Sequence, residues 1–269
     1  MICMPENMVL FLKDVFVKLC DNNLFFLKNS LDHLQRAIKG LIVMTDELEQ
    51  IYISCLNNHL PKVWSGVAYP SLKPLSSWIT DLNLRCSFME SWIKSGTPYS
   101  FWISGFFFPQ GFLTAVLQNH SRKYQLPIDY LSFNFNVLHV QNPNEFRGSV
   151  KTETSVEDTQ PDTEKSDGVF IHGLFMEGFR WDKTEMHVID SQPGEIHSPL
   201  PLLHLIPARD VQQKDETYCC PIYKTALRAD GLSSTGRSTN FITSVFLPTK
   251  KPEDYWIANG AALLCQLSE

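Results

Sequence analysis

The sequence contains no hydrophobic run as long as a membrane helix requires, which is about 20 residues. Its longest apolar tracts, 101–108 and 200–205, fall well short of that length. The apolar stretch 8–16 lacks the basic region and the small-residue cleavage site of a secretory signal peptide. We therefore predict neither a membrane partner nor an export signal.

An excess of basic charge and a regular cysteine spacing are also missing. The 23 Lys and Arg face 29 Asp and Glu, which gives the 269 residues a formal charge of −6. This sign disfavours binding to a phosphate backbone, and it argues against docking on the acidic microtubule surface. The seven cysteines are odd in number and irregularly spaced, as is typical of reduced thiols in a cytosolic protein. We predict no nucleic-acid partner and no direct microtubule contact.

One segment, 231–238, fits the phosphate-binding template G-x-x-x-x-G-K-[ST] except that Arg237 replaces the lysine. A working phosphate loop follows a buried strand and opens a helix. Here a polar stretch precedes the segment and a strand-like run follows it. We predict a glycine-rich hairpin loop, and a nucleotide hydrolase remains the weaker alternative.

No other motif indicates chemistry. The eight histidines lack metal-ligand spacing, and we expect His172 to be buried and bonded to a backbone carbonyl. Cys219 and Cys220 are adjacent, so a strand would direct them to opposite faces. No G-x-S-x-G elbow is present. We predict no catalytic residues, cofactor-binding residues or metal ligands, and we assign four carboxylates to exposed turns and strands: Glu177, Asp182, Glu185 and Asp190.

Helical periodicity dominates the first half of the chain. Apolar spacing from Leu31 to Cys55 predicts one helix with a buried stripe, with Ser30 as its N-cap. The same spacing predicts a second helix from Leu75 to Ile93 that ends at Gly96, and Pro109 begins a third helix that runs to about Tyr124. These helices are expected to form a bundle.

Alternating patterns replace the helical period after residue 132. A strand is predicted at 133–137, and the acidic, Ser- and Thr-rich segment 141–166 has too few apolar residues to fold, so we expect a solvated loop there. Turns are predicted at 176–178 and 182–184. Short β-prone runs follow one another at intervals typical of a small barrel or sandwich: 169–175, 179–181, 186–189, 202–206, 217–223, 241–247 and 261–267. The predicted fold class is α+β, with a helical subdomain (1–138), an acidic flexible linker (139–167) and a small antiparallel β-barrel (168–269).

The most distinctive run is SFWISGFFFPQGFLTA at 100–115. Five of its aromatic residues form either a core cluster or a docking surface: Trp102, Phe106, Phe107, Phe108 and Phe112. This run resembles a string in the C-terminal domain of axonemal dynein heavy chains. Further matching stretches extend the resemblance over residues 30 to 269: LQRAIKGL (34–41), YPSLKPL (69–75), SRKY (121–124), LPID (126–129), DGVFIHGLF (167–175), STGRSTNF (234–241) and GAALLCQL (260–267).

The resemblance implies helices followed by a compact β-barrel, with no catalytic residues in the domain. Its implied partners are the ring of six AAA+ modules of a dynein heavy chain and other dynein complex subunits. By modulating minus-end-directed motor activity on microtubules, the domain would contribute to ciliary and flagellar movement. The implied location is the cytoplasm, the cytoskeleton and the axoneme. An alternative is a free-standing interaction module, derived from this domain, without a motor role.

Overall fold

The computed structural model describes residues 24–140, 168–209, 216–228 and 239–268. They divide into two compact units, one formed by 24–96 with 267 and 268, and one formed by 97–266. The predicted loop 141–166 and the glycine-rich segment 231–238 lie outside the described residues. The predicted division into a helical subdomain, a linker and a β-rich subdomain, with boundaries at 138 and 167, stays a prediction.

The unit 24–96 is helical. Its four helices are α1 (24–38), α2 (Asp46–Leu56), α3 (Lys62–Ser65) and α4 (Leu75–Ser95). The single helix predicted from Leu31 to Cys55 is wrong, because the helix breaks between α1 and α2. Gly40 has a φ of +71°, and the Thr45 hydroxyl caps α2 by accepting a hydrogen bond from the Leu48 N–H. Ser30, the predicted N-cap, lies inside α1.

Helix α4 confirms the second helical prediction, and its C-cap is Gly96 as expected. Leu75, Leu82 and Met89 are buried, whereas Ile79 and Ile93 of the predicted stripe are nearly half exposed. The buried face of α4 is therefore rotated from the predicted stripe, and it also includes Trp78, Asp81, Arg85 and Trp92.

The described residues of the unit 97–266 contain two further helices, α5 (Pro109–Tyr124) and α6 (Glu253–Ala258). Helix α5 confirms the third helical prediction, with Pro109 in its first turn. Two 3-10 turns lie at Ile103–Gly105 and Ile128–Tyr130. None of the helices in the described ranges is both long enough and apolar enough to cross a membrane.

Eleven strands are present in the described part of this unit, and eight of them confirm predictions. Seven confirm β-prone runs or parts of runs, and β2 matches the strand predicted at 133–137. Their bounds are β1 (Ser100–Trp102), β2 (Ser132–Val137), β3 (Val169–His172), β4 (Phe175–Glu177), β5 (Arg180–Asp182), β6 (His187–Ile189), β7 (His197–Pro199), β8 (Leu203–Ala208), β9 (Thr217–Tyr223), β10 (Phe241–Pro248) and β11 (Ala262–Leu264). The sequence analysis missed β1, β7 and the helix α6.

The strands form three sheets, with the orders β1-β3-β8-β2, β10-β9-β11-β4-β7 and β5-β6. The predicted antiparallel barrel is wrong for the described residues, which show open sheets with terminal strands. Two of the pairs, β1 with β3 and β11 with β9, are parallel. Parallel neighbours come from crossovers between segments that are distant in sequence, and period-2 patterns alone do not reveal such pairings.

One of the two predicted turns is confirmed. Strands β5 and β6 form a hairpin, in which the Asp182 Oδ1 accepts hydrogen bonds from the N–H groups of Thr184 (2.8 Å) and Glu185 (3.3 Å). The turn predicted at 176–178 is wrong, because Met176 and Glu177 lie in β4. That strand pairs with β7 and β11, not with β5.

Candidate functional site

The aromatic run divides into a buried part and a surface part. Phe101, Phe106 and Phe112 are at most 2% exposed, and their ring centroids are 4.5 to 6.4 Å apart. These rings form the core of the segment that joins β1 to α5. By contrast, the Phe108 side chain is 54% exposed. The core interpretation therefore holds for Phe106 and Phe112, and the surface interpretation holds for Phe108.

Glycines make room for the remaining large ring of the run. A Cβ at Gly105 or at Gly173 would collide with the Trp102 indole, and Gly173 also has a φ of +90°. The Ser104 hydroxyl donates a hydrogen bond to the Gly173 carbonyl, which ties the 3-10 turn to the residue after β3. Only glycine fits at these two positions, because the Trp102 indole lies too close to leave room for a Cβ atom.

A second feature is the apolar surface of the helical unit. Between α1 and α2, Leu41 is 68% exposed and Val43 is 82% exposed, and Ile38 and Met44 add to the same short stretch. Further exposed apolar side chains lie elsewhere in this unit: Leu24, Phe25, Leu31, Tyr52, Ile53, Leu56, Val67, Leu72, Ile79, Leu84 and Ile93. Isolated exposed apolar residues are ordinary, but a group of four within seven residues is typical of a surface that another element covers.

A buried ion pair supports the same unit from inside. Arg85 is fully buried, and its Nε donates to Asp81 Oδ2 at 2.7 Å. The guanidinium carbon lies 3.8 Å from the centroid of the Tyr69 ring, and Lys73 Nζ lies 3.5 Å from Asp81 Oδ1. Burial raises the pKa of the Tyr69 hydroxyl well above its ordinary value. Sequence reasoning missed this pair, although its i,i+4 spacing on a helix with apolar neighbours was a usable signal.

His172 lies on β3 as predicted, but its partner differs from the expected carbonyl. Its Nδ1 is 3.0 Å from the Ser100 Oγ of the neighbouring strand β1. Burial lowers the pKa of His172 to about 4, because the imidazolium loses hydration. A neutral imidazole hydrogen-bonded to one hydroxyl explains this residue as part of the sheet.

Three side chains of types that can bind a metal come together in the β5–β6 hairpin. Ligand atoms of Asp182, Glu185 and His187 lie within 4.8 Å of one another. Two backbone N–H groups already bind the Asp182 carboxylate, and Lys250 pairs with Glu185. These bonds explain the arrangement as a turn, so we assign no metal to it.

Two other carboxylates are also in salt bridges. Glu177 pairs with Arg228, and Asp190 pairs with Lys251. Cys219 and Cys220 alternate on β9 as predicted, the first partly exposed and the second fully buried. Burial raises the pKa of the Cys220 thiol well above its ordinary value, so the thiol remains protonated.

Comparison with known proteins gives the family of this domain. Residues 20–265 match the family model of the C-terminal domain of the dynein heavy chain. The protein belongs to this family. Dynein axonemal heavy chain 6 of Homo sapiens is 50% identical over 253 residues, which cover 93% of the sequence.

Other axonemal relatives agree with this assignment. Dynein axonemal heavy chain 1 of Mus musculus is 47% identical over 240 residues, or 88% of this dynein C-terminal domain. Dynein axonemal heavy chain 3 of Homo sapiens is 42% identical over 241 residues, or 89% of it. The matched regions make up only 5% to 6% of the three relatives. The similarity is therefore to a small part of each relative.

Proposed function

We propose that this domain packs on the AAA+ ring of an axonemal dynein heavy chain and modulates minus-end-directed movement along microtubules. ATP hydrolysis and microtubule contact would then be performed by other parts of a heavy chain, and the domain itself would be non-catalytic. Family membership supports the proposal, since the matched relatives are axonemal dynein heavy chains. In this role the domain would contribute to ciliary and flagellar movement, alongside other dynein complex subunits.

The observation that carries the proposal is the exposed apolar stretch between α1 and α2. Ile38, Leu41, Val43 and Met44 present apolar surface within seven residues. Covering such a stretch with another protein surface removes it from water, which stabilises the complex by roughly 25 cal/mol per Å². A ring module with a complementary apolar patch would provide that cover.

Binding to a dynein ring that lacks its own C-terminal domain tests the proposal. The Leu41→Glu/Val43→Glu double variant should bind the ring roughly tenfold more weakly, because two apolar contacts are replaced by charges. Ile196→Glu is the matched control, since Ile196 is 67% exposed but lies outside this stretch. Binding is measured by analytical ultracentrifugation, and modulation is measured as gliding velocity of microtubules.

Failure of the unaltered domain to bind any axonemal ring would contradict the proposal and favour the free-standing interaction module. Equal binding by the double variant and the Ile196→Glu control would show that the stretch between α1 and α2 is not the contact. Titration calorimetry with ATP tests the non-catalytic part separately. Saturable binding that Arg237→Ala abolishes would restore the nucleotide-site alternative.

A further inference from the structure

A groove of about 320 Å³ lies between two sheet edges within the unit 97–266. Four consecutive residues of β2, 134–137, form part of its wall, and β10 contributes Phe246 and Pro248. Successive side chains of a strand point to opposite faces of a sheet. Four consecutive residues therefore line one groove only if it follows the edge of the strand.

The outer edge of β2 presents peptide groups to this groove. Among the described residues β2 pairs only with β8 and ends its sheet. Phe133 is opposite Pro207, which has no N–H, so these two residues cannot form a doubly hydrogen-bonded pair. By alternation, Phe135 and Val137 also direct their N–H and C=O groups away from β8. The Leu138 N–H, one position further, bonds back to the sheet at 2.8 Å, as this alternation requires.

The facing edge of β10 is open only in part. In the described part of the protein β10 pairs only with β9. Ser244 is opposite Pro221, so this pair is not doubly hydrogen-bonded, and the Thr249 N–H donates to the Glu216 carbonyl at 2.9 Å. The alternation directs the N–H and C=O of Phe246 outward. Just beyond Pro248, however, Thr249 forms a parallel bridge with Val188. The groove therefore has one open edge, that of β2, and one partly paired edge, that of β10.

The chemistry of the wall limits what the groove can accept. None of its ten lining residues carries a charge. Trp181 lines the groove and is 8% exposed, and its indole N–H is buried without a hydrogen-bond partner in the described residues. The outward peptide groups of β2 favour an occupant that has its own N–H and C=O groups. Proteins usually protect an edge strand with charge, proline or a covering segment, and β2 (SFNFNV) contains neither a charge nor a proline.

We propose that this groove accepts an extended, uncharged segment of a partner polypeptide, which pairs with the outer edge of β2 as an added strand. Main-chain bonds to Phe135 and Val137 would provide affinity, and alternate side chains of the segment would contact the apolar wall. A small apolar molecule would fill the wall but would leave the peptide groups of the edge unpaired. The inference does not depend on packing against a dynein ring.

Blocked hexapeptides test the proposal, because β2 is six residues long. The probes alternate threonine with valine, leucine or phenylalanine, and each has a twin in which alternate peptide nitrogens are methylated. The twins keep the side chains but lose main-chain donors. Binding to the whole 269-residue protein is followed by the indole N–H resonance of Trp181, which is assigned with Trp181→Phe.

Variants at Val137 provide the second arm. Val137→Pro removes the outward N–H without removing a bond to β8, whereas Val137→Thr keeps the N–H and nearly the same shape. We expect at least one probe to shift the Trp181 resonance, its methylated twin to bind roughly fivefold or more weakly, and Val137→Pro alone to reproduce that loss. Circular dichroism verifies that both variants fold.

Two results would overturn the proposal. If no probe moves the Trp181 resonance, the groove does not accept an extended segment. If a probe and its methylated twin bind equally, the groove binds apolar side chains without strand pairing, as a small-molecule site would.

Discussion

Replacing Asp81 by Asn removes the charged partner of a fully buried guanidinium. Arg85 is held by Asp81 at 2.7 Å and by the face of the Tyr69 ring at 3.8 Å. Asparagine has nearly the shape of aspartate but no charge. The substitution therefore leaves the positive charge of Arg85 in place while its main compensation is lost.

The magnitude follows from the burial of the pair. Two unit charges 4 Å apart interact by about 4 kcal/mol at an effective dielectric constant of about 20. Removing one member of a buried pair costs about 3–5 kcal/mol, because the remaining charge is left desolvated. We expect Asp81→Asn to lower the free energy of unfolding by that amount. The Asp81→Leu/Arg85→Met double variant, which removes both charges, should lose less than Asp81→Asn alone.

Urea unfolding followed by far-ultraviolet circular dichroism provides the measurement, since helices dominate that signal. Exposed Lys94 and Glu90 supply the control, because their i,i+4 salt bridge on the same helix is open to water. Glu90→Gln should change stability far less than Asp81→Asn, because water screens the exposed pair. An Asp81→Asn loss as small as that of Glu90→Gln would refute the reasoning. A double variant less stable than Asp81→Asn would also refute it.

The pH dependence of this pair has a definite sign. Burial opposes ionisation of Asp81, but the charge and hydrogen bonds of Arg85, the Tyr69 hydroxyl and Lys73 outweigh it and hold the pKa of Asp81 below its ordinary value. Stability from a carboxylate with a lowered pKa is complete above the unfolded pKa and is lost as the pH falls through the folded pKa. The difference between the unaltered protein and Asp81→Asn should therefore shrink only below about pH 4.

Three further predictions concern the unit 97–266. Phe112→Ala should lower the free energy of unfolding of this unit by about 3–5 kcal/mol. Phe108→Ala removes an exposed ring and should cost less than about 1 kcal/mol. Similar losses for the two variants in urea titrations would contradict the buried cluster. Because burial lowers the pKa of His172 from 6.5 to about 4, the unfolded state takes up this proton first. Stability should be complete above pH 6.5 and decline towards about pH 4, and a decline equally steep in His172→Gln would exclude this histidine as the cause. The Cys220 thiol is fully buried and its pKa is raised, so it should react with iodoacetamide only in urea. Mass spectrometry measures the labelling. Labelling of Cys220 in the native protein would place the thiol at the surface.

Local signals in the sequence predict the elements whose ends are marked by proline or glycine. Helices α4 and α5 begin next to Pro74 and at Pro109, and Gly96 caps α4. The same reasoning fails where a glycine or an N-cap residue interrupts an apolar spacing that continues beyond it. The apolar spacing runs on through Gly40 and Thr45, although the first ends α1 and the second begins α2.

Strand pairing required information that the sequence does not carry locally. The runs that became β3 and β9 were recognised, but each has a parallel partner that is distant in the sequence. The pairing of Phe101 on β1 with Ile171 on β3 could not follow from the residues next to either one. Long-range pairs depend on the packing of the whole unit, so a barrel was expected where open sheets are found.

The open sheets change which surfaces matter for function. In a closed barrel every peptide group of a strand has a neighbour, so no edge remains to bind a partner. Here Phe135 borders the groove from the open edge of β2, and an added strand there would extend its sheet. Such binding would stabilise the folded unit increasingly as the free peptide concentration rises. A hexapeptide that shifts the Trp181 resonance without raising the melting temperature would bind the unfolded protein equally well, which would contradict pairing with a folded strand edge.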